Sequence, residues 1–142
     1  MGGGIIRKQY DIPGEDLAAA GEASSDAKKM LVQLGVNPFD IKRAAVSMYE
    51  AEINAVIHAN GGKADVVIST ESIKIIIKDE GPGIADLDLA LQEGYSTATD
   101  KIREMGFGAG MGLPNIKRYA DELDIQTEPG KGTVVMIKVY FS

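Results

Sequence analysis

Two glycine-rich segments constrain the fold of this 142-residue chain more than any other feature. The first, residues 79–84 (DEGPGI), ends an apolar, β-branched run, and the second, residues 106–113 (GFGAGMGL), opens a helical pattern. Glycine has no Cβ, so its backbone can turn tightly and its N–H groups can approach a phosphate chain. A carboxylate joined to a tight turn, followed by a string of alternate glycines, predicts a nucleotide-binding site.

The composition is that of one ordinary globular domain. Hydrophobic residues make up 44% and charged residues 25% of the chain, and this length can bury a core without disulfides. The 17 glycines exceed the usual share of about 7%, and the excess is concentrated in the two segments. We expect residues 1–4 to be a flexible leader and residues 5–142 to form a single domain.

The charge pattern excludes several classes of partner. A net charge of -6 and a pI near 4.8 argue against direct binding of nucleic acid or an anionic membrane, which would require a basic patch. The absence of cysteine excludes disulfides and thiolate metal sites. Because no apolar run reaches the roughly 18 residues of a membrane span and no signal-peptide core is present, we expect a cytoplasmic protein.

Hydrophobic periodicity predicts an α+β fold. Helical spacing of apolar residues predicts helices at residues 15–34, 37–59, 85–92 and 110–123. Alternating and β-branched runs predict strands at residues 5–12, 64–70, 72–78, 124–127 and 132–141. Hairpin-like neighbours dominate, so we expect a two-layer sandwich in which helices cover one face of a mixed, mostly antiparallel β-sheet.

The second predicted helix places polar residues on an apolar stripe. Glu50 and Asn54 share this stripe with Val46, Ile53 and Ile57. Such groups need partners, because burying one unpaired costs roughly 1–3 kcal/mol. They could cap a nearby loop or face water. Alternatively, Asn54 could be a magnesium ligand and Glu50, one helical turn away, a general base.

Asp79 stands at the end of the apolar strand, before a Gly-Pro-Gly turn. An aspartate in this position is commonly a turn former. Its carboxylate could also accept a hydrogen bond from an exocyclic amine such as adenine N6, since Gly81 and Gly83 leave room for a ring. This segment alone leaves both roles open.

The glycine string matches neither of the two commonest phosphate loops. A Walker A loop ends in Gly-Lys-Ser/Thr, whereas Gly112 is followed by Leu113 and Pro114. A Rossmann fingerprint follows a strand and needs a third glycine where Met111 or Leu113 stands. The remaining choices are a glycine-rich entry to a helix N-terminus that suits an anion, and a flexible hinge.

A polar, weakly patterned segment, residues 94–105, lies between the two glycine regions and is typical of a mobile loop. Its Ser96 and Thr97 could close over phosphate oxygens as part of a lid, or could simply be solvated. The only histidine, His58, is more typical of a packing or hydrogen-bonding residue than of a catalyst.

Taken in order, these motifs resemble the nucleotide-binding boxes of a known superfamily. The chain is similar to Bergerat-fold ATPases of the GHKL superfamily. Glu50-x-x-x-Asn54 resembles the N box of that superfamily, and Asp79-x-Gly81-x-Gly83 resembles the G1 box. The G2 box is resembled by Gly106-x-Gly108-x-Gly110-x-Gly112, and the late accessory threonine by Gly132-Thr133. The resemblance covers nearly the whole chain, residues 5–141. Ordered matches of this kind are far more specific than any single box.

The resemblance implies a role for each candidate residue. Glu50 would act as the general base, Asn54 would hold Mg²⁺, and Asp79 would bind the adenine of ATP or ADP. Thr133 would support the adenine contact through water. The nucleotide-binding residues implied in this way are Asn54, Asp79, Gly81, Gly83, Ile84, Ser96, Thr97, Gly106, Phe107, Gly108, Ala109, Gly110, Met111, Gly112, Leu113 and Thr133.

Within the superfamily, the chain most resembles small single-domain serine/threonine kinases that act as anti-sigma factors or stress-signalling switches. The likeness rests on the length and on residues 50–58 and 108–118. It implies transfer of the γ-phosphate of ATP to a serine or threonine of a small anti-anti-sigma protein of the STAS type. It also allows a sigma factor as a partner and a homodimer as the assembly.

Other functions would use the same site differently. A nucleotide-dependent binding module could sequester a sigma factor or another regulator with little turnover of ATP. The catalytic domain of a sensor histidine kinase is disfavoured, because no dimerisation helix with a phosphoacceptor histidine is evident in the sequence. Repair and chaperone ATPases of this superfamily would need further domains to couple their cycles.

Overall fold

The computed structural model describes residues 4–14, 20–58, 61–81 and 112–142. Within these ranges the element order is β1, α1, α2, β2, β3, α3, β4 and β5. The strands are β1 (Ile6–Pro13), β2 (Gly61–Ile68), β3 (Ser72–Asp79), β4 (Glu122–Glu128) and β5 (Gly132–Tyr140). The helices are α1 (Glu22–Gln33), α2 (Pro38–His58) and α3 (Gly112–Tyr119).

The strands form one sheet in the order β1-β2-β3-β5-β4, with every described pairing antiparallel. Successive side chains point to opposite faces of each strand. On β3, Ile73, Ile75 and Ile77 are buried beneath the helices, whereas Lys74 and Lys78 are exposed. The sheet therefore has a core face and an open face.

The long helix α2 is the centre of the second layer. It contacts α1, α3 and the four strands β1, β2, β3 and β5. Local sequence sets its start, because the Asn37 side chain accepts a hydrogen bond from the Phe39 N–H at 2.8 Å and Pro38 occupies the first helical position. Small buried residues such as Ala44 and Ala51 let α2 lie close to the sheet.

The two flanking helices complete the core. Leu31 of α1 and Leu113 and Ile116 of α3 are buried in the same cluster as the inward-facing residues of the sheet. Each helix thus hides one apolar stripe against the sheet or against α2. No helix in the described ranges is both long and apolar enough to cross a membrane.

The predicted fold class is confirmed. Helices cover one face of a sheet, and the chain order is that of an α+β domain. The prediction allowed a mixed sheet, whereas the described pairings are all antiparallel. The predicted short helix at residues 85–92 and the predicted lid at residues 94–105 lie outside the described residues.

Two predicted helix boundaries were wrong. The first helix was predicted from residue 15, but residues 20 and 21 form a turn in which Gly21 has a φ of 97°, and α1 begins at Glu22. The last predicted helix ends at Tyr119 instead of reaching residue 123. Leu123 continues the helical spacing in sequence, but it lies in β4 opposite Ile137 of β5, where strand pairing satisfies its backbone.

Candidate nucleotide-binding site

The long helix α2 carries the two polar residues predicted to perform chemistry. Glu50 and Asn54 are both half-buried and lie one helical turn apart. Burial raises the pKa of the Glu50 carboxyl above its ordinary value. A carboxylate with a raised pKa is a stronger proton acceptor than an ordinary glutamate, so the environment of Glu50 suits a general base.

The Glu50 carboxylate also contacts the helix that follows the second glycine segment. Asn115, in the first turn of α3, donates a hydrogen bond from Nδ2 to Glu50 Oε1 at 3.4 Å. This bond acts to lower the pKa of Glu50 and so opposes part of the effect of burial. Glu50 therefore lies beside the helix start at which backbone N–H groups and the helix dipole favour an anion.

Asp79, the last residue of β3, is held by two backbone donors. Its Oδ1 accepts hydrogen bonds from the Gly81 N–H at 2.9 Å and the Thr133 N–H at 3.1 Å. The bond to Gly81 is a local turn of the kind aspartate favours, and the bond to Thr133 orients the carboxylate against β5. No described residue donates a hydrogen bond to Oδ2. The carboxylate can thus form the turn and still offer an oriented acceptor to an amine.

Close contacts between backbones surround Asp79. On β5, Gly132 has a φ of 120°, and a Cβ at this position would lie 2.2 Å from the Asp79 carbonyl oxygen. On β2, a Cβ at Gly62 would lie 2.3 Å from the Lys78 carbonyl oxygen. Neither distance is tolerable, so both neighbouring strands require glycine beside the end of β3.

Thr133 lies directly opposite Asp79 in the pairing of β3 with β5 and is 7% exposed. Its Oγ1 lies 3.0 Å from Thr127 Oγ1 on β4. The backbone of Thr133 thus contacts Asp79, while its hydroxyl contacts the edge strand. The structure places this threonine next to the carboxylate, and support of adenine through water stays a prediction.

Only part of the predicted glycine-rich site falls within the described residues. Gly112 and Leu113 begin α3, and the Leu113 side chain is buried in the core. Any contact from Leu113 to a nucleotide would therefore come from its backbone. The predicted site residues outside the described ranges are Gly83, Ile84, Ser96, Thr97, Gly106, Phe107, Gly108, Ala109, Gly110 and Met111.

A buried carboxylate that was not predicted, Glu52, lies two residues from Glu50. It is 2% exposed, and its oxygens accept hydrogen bonds from the N–H groups of Gly21, Ala23 and Ser24 at 3.0, 3.2 and 3.1 Å. Glu52 therefore caps the N-terminus of α1, where no residue of that helix provides a side-chain cap. Its helical spacing from Met48 could have revealed a buried position.

The described residues could bind a metal ion only together with ligands from a nucleotide and water. Within the described ranges, no group of three or more His, Cys, Asp and Glu side chains is placed to hold a metal ion. Asn54 offers a neutral amide oxygen, which suits a hard cation that takes its other ligands from phosphate and water. A Mg²⁺ ion held there would depend on the nucleotide for most of its coordination.

Comparison with known proteins identifies the family. Residues 40–142 match the family described as "Histidine kinase-, DNA gyrase B-, and HSP90-like ATPase". The match spans most of the chain, and the protein belongs to this family of ATP-binding domains, which confirms the resemblance to the GHKL superfamily.

Two curated relatives indicate which members of this family the chain is similar to. An anti-sigma F factor of Thermoanaerobacter sp. (strain X514) is 36% identical over 106 residues, which cover 71% of this chain and 68% of that protein. The serine/threonine-protein kinase RsbT of Bacillus subtilis (strain 168) is 29% identical over 124 residues, which cover 84% of this chain and 85% of RsbT. The predicted likeness to small anti-sigma and switch kinases agrees with these names.

Solved structures share the fold. The RsbU and RsbW domains of a Mycobacterium tuberculosis protein superpose with a TM-score of 0.64 at 15% identity, covering 96% of this chain and 32% of that one. A mycobacterial sensor histidine kinase, MprB, superposes with a TM-score of 0.54 at 15% identity, covering 96% and 98%. At these identities the likeness concerns the fold alone.

Proposed function

We propose that this protein is a Mg²⁺- and ATP-dependent serine/threonine protein kinase of the anti-sigma regulatory type. The observation that carries the proposal is the environment of Glu50, whose half-buried carboxyl has a raised pKa and contacts Asn115 at the start of α3. A proton acceptor beside a phosphate-binding helix start is needed for transfer and not for binding alone. The relatives support this reading, because they include a named serine/threonine-protein kinase.

Each residue would have a separate part in the transfer. Glu50 would take the proton of the acceptor hydroxyl as its oxygen bonds to the γ-phosphorus, and ADP would leave as the bond from that phosphorus to the β,γ-bridging oxygen breaks. Asn54 would hold Mg²⁺ at the phosphates, and Asp79 would accept a hydrogen bond from adenine N6. Such catalysis is mostly positioning and stabilisation of charge.

The acceptor would be a small anti-anti-sigma protein of the STAS type. This part of the proposal follows the names of the relatives, which are anti-sigma F factors and RsbT. A sigma factor would be a second protein partner, and a homodimer would be the assembly. The net charge of -6 fits protein partners better than nucleic acid.

A nucleotide-dependent binding module is the second candidate, and exposed apolar side chains favour it. Val32, Leu34 and Phe39, around the connection between α1 and α2, are 58%, 50% and 65% exposed. Exposed apolar groups near one another are typical of protein-binding surfaces. Such a module would bind ATP and a regulator without transferring phosphate.

Phosphotransfer with a Glu50→Gln variant separates the two candidates. Purified STAS-domain proteins from the source genome are incubated with the kinase and γ-labelled ATP, and labelled serine or threonine is quantified. We expect wild type to label one of them and Glu50→Gln to be slower by about 10²- to 10⁴-fold, the usual range for loss of a general base. Glu71→Gln, an exposed glutamate between β2 and β3, is the matched control and should keep wild-type activity.

Calorimetric titration with ATP completes the test. Glu50→Gln should retain ATP affinity, since Glu50 is assigned to the acceptor and not to the nucleotide. A wild-type protein that binds ATP but labels no acceptor would support the binding module and refute the kinase. Acid-labile self-phosphorylation would instead support the histidine kinase reading.

A further inference from the structure

Three polar side chains form a row across three neighbouring strands at the end of β3. Asp79 of β3 lies directly opposite Thr133 of β5, and Thr133 lies directly opposite Thr127 of β4. Side chains that lie opposite one another in paired strands share one face of the sheet. Asp79 lies two residues after Ile77, which is buried beneath the helices, so the row lies on the face that α2 covers.

We propose that Thr127 is a positioning residue of the pocket for the adenine base, where it holds the Thr133 hydroxyl in one orientation. The inference rests on the proposed nucleotide site, in which Asp79 accepts a hydrogen bond from adenine N6 and Thr133 supports that contact. Thr127 acts on the nucleotide only through Thr133. It was not among the residues predicted from the sequence motifs.

The Thr127 hydroxyl contacts two consecutive residues of β5. It donates a hydrogen bond to the Gly132 carbonyl oxygen at 3.4 Å, and its Oγ1 lies 3.0 Å from Thr133 Oγ1. A carbonyl oxygen can only accept, and a hydroxyl has one proton to donate. Because the proton of Thr127 is directed to Gly132, the bond between the two hydroxyls is donated by Thr133. This bond fixes the rotation of the Thr133 hydroxyl and leaves its oxygen able to accept from a water molecule.

The two residues of β5 that Thr127 contacts both lie against Asp79. The Thr133 N–H donates a hydrogen bond to Asp79 Oδ1 at 3.1 Å. A Cβ at Gly132 would lie 2.2 Å from the Asp79 carbonyl oxygen, so the two backbones approach closely there. Thr127 therefore holds the segment that orients the proposed acceptor for adenine. Groups that are held in place before a ligand arrives lose little freedom on binding, so removal of the Thr127 hydroxyl should lower ATP affinity.

An ordinary cross-strand pair would give the same contact a different meaning. Threonines opposite one another on neighbouring strands stabilise a sheet through their hydroxyls. Such a pair would contribute to the free energy of unfolding and would leave ATP affinity unchanged. The two roles of Thr127 therefore differ in ATP binding, which can be measured without any protein substrate.

A double-mutant cycle on ATP affinity tests whether Thr127 acts through Thr133. Isothermal titration calorimetry with Mg²⁺ and ATP compares wild type, Thr127→Val, Thr133→Val and the double variant. Valine keeps the shape and β-branching of threonine, so the strands should still form. Thr127→Val should weaken ATP binding about three- to tenfold, as expected for the loss of one neutral hydrogen bond. The double variant should bind ATP within about twofold of Thr133→Val alone, because Thr127 then has no hydroxyl to orient.

Two further variants are the controls. Thr127→Ser keeps the hydroxyl and should bind ATP within about twofold of wild type, and Thr70→Val, at an exposed position between β2 and β3, should bind ATP as wild type does. Losses of affinity that multiply in the double variant would overturn the proposal. So would a Thr127→Val protein that loses stability in urea and keeps its ATP affinity. A wild type that binds ATP but labels no acceptor would refute the kinase function and leave this test intact.

Discussion

At the scale of single residues, the Asp79 carboxylate shows how one side chain can serve both structure and recognition. One oxygen closes the turn to Gly81 and joins β3 to β5 through Thr133. The other has no donor among the described residues, which leaves it able to accept from an amine. The two readings of this aspartate, turn former and ligand, are therefore compatible.

Replacing Asp79 by asparagine should weaken ATP binding roughly ten- to hundredfold, because a hydrogen bond to a charged acceptor contributes about 1.5–3 kcal/mol. An amide can keep the bonds through its oxygen, but it places an N–H₂ donor where adenine N6 also donates. Isothermal titration calorimetry measures the change. Asp124→Asn, on the exposed face of β4, is the control and should bind normally. Unchanged affinity in Asp79→Asn would place the base pocket elsewhere.

A second residue-scale prediction concerns the pH dependence of Glu50. Burial raises the pKa of this carboxyl, and the bond from Asn115 partly opposes the rise. Asn115→Ala should therefore raise the Glu50 pKa further, and Asn115→Asp should raise it most by adding a like charge. A base works only when deprotonated, so the acid limb of the phosphotransfer rate should move to higher pH in that order.

The Glu50 pKa can also be followed without an activity assay. NMR titration of a ¹³C-labelled side-chain carboxyl reports it directly in wild type and both variants. A Glu50 pKa that does not move in Asn115→Ala would contradict the contact with α3. If the Glu50 pKa moves while the acid limb of the phosphotransfer rate stays at the same pH, Glu50 is not the group that takes the proton.

At the scale of elements, α2 combines tasks on different sides of one helix. One stripe holds Glu50 and Asn54, half-buried at the candidate site. The neighbouring, more buried stripe includes Met48 and Glu52, and the carboxylate of Glu52 supplies the cap that α1 lacks. The same helix thus positions the proposed base and fixes the start of the neighbouring helix.

Glu52→Gln should lower the free energy of unfolding by about 1–3 kcal/mol, because the variant loses a charged acceptor for buried N–H groups. The neutral amide has only one oxygen, whereas the bonds from Gly21 and Ala23 use Oε2 and the bond from Ser24 uses Oε1. Urea unfolding measures the loss. Glu22→Gln, at the exposed start of the same helix, should change stability by no more than about 1 kcal/mol. Equal effects of the two substitutions would argue against the cap.

At the scale of the whole molecule, a charged network joins the start of α2 to the end of α3, to Asp121 before β4 and to Ser142 after β5. Arg43 of α2 contacts Asp40 at 3.3 Å and Asp121 at 2.6 Å, and its Nε donates to the Tyr119 carbonyl at 3.0 Å. Asp40, which is 1% exposed, also accepts two hydrogen bonds from Ser142 at 2.9 Å. Residues far apart in sequence are thereby held together around the start of α2.

Arg43→Met should destabilise the protein by about 1–3 kcal/mol at pH 7, since it leaves the buried Asp40 carboxylate without its charged partner. Urea unfolding at pH 7 measures this loss. Lys131→Met, which removes an exposed pair with Glu128, should cost less than about 1 kcal/mol. Similar losses of unfolding free energy from both substitutions would show that the contacts of Arg43 contribute no more than an exposed ion pair.

The same network should make stability fall in acid. Backbone donation from Ser142, with help from Arg43, holds the pKa of Asp40 below its usual 3.8. Burial opposes a similar lowering of the Asp121 pKa, but Arg43 and the Tyr140 N–H outweigh it. Because the pKa values of both carboxyls are below 3.8 in the folded protein, the two carboxylates stabilise the fold above pH 3.8. This stabilisation is lost as the pH falls through their folded-state pKa values. Unfolding free energies measured from pH 7 to pH 2 should fall less steeply in Arg43→Met.

Local sequence signals were sufficient for much of the fold, and they named the candidate site residues, whose contact with a nucleotide stays a prediction. Asn37 and Pro38 marked the start of α2, and the alternating isoleucines of β3 marked a strand with one buried face. Leu123 was misassigned because it fits the period of a helix and of a strand, and only pairing with Ile137 on β5 decides between them. Periodicity describes a side-chain pattern and contains no information about the partner strand.

The sequence by itself determined which residues could meet a nucleotide, because glycines, a carboxylate and a carboxamide at these spacings are chemical properties of the chain. Tertiary structure alone decided what each polar side chain contacts. Glu50 meets Asn115, and Glu52 meets the start of α1, through contacts between residues far apart in sequence. Burial and hydrogen bonding depend on neighbours brought together by packing, and these neighbours set the pKa of Glu50.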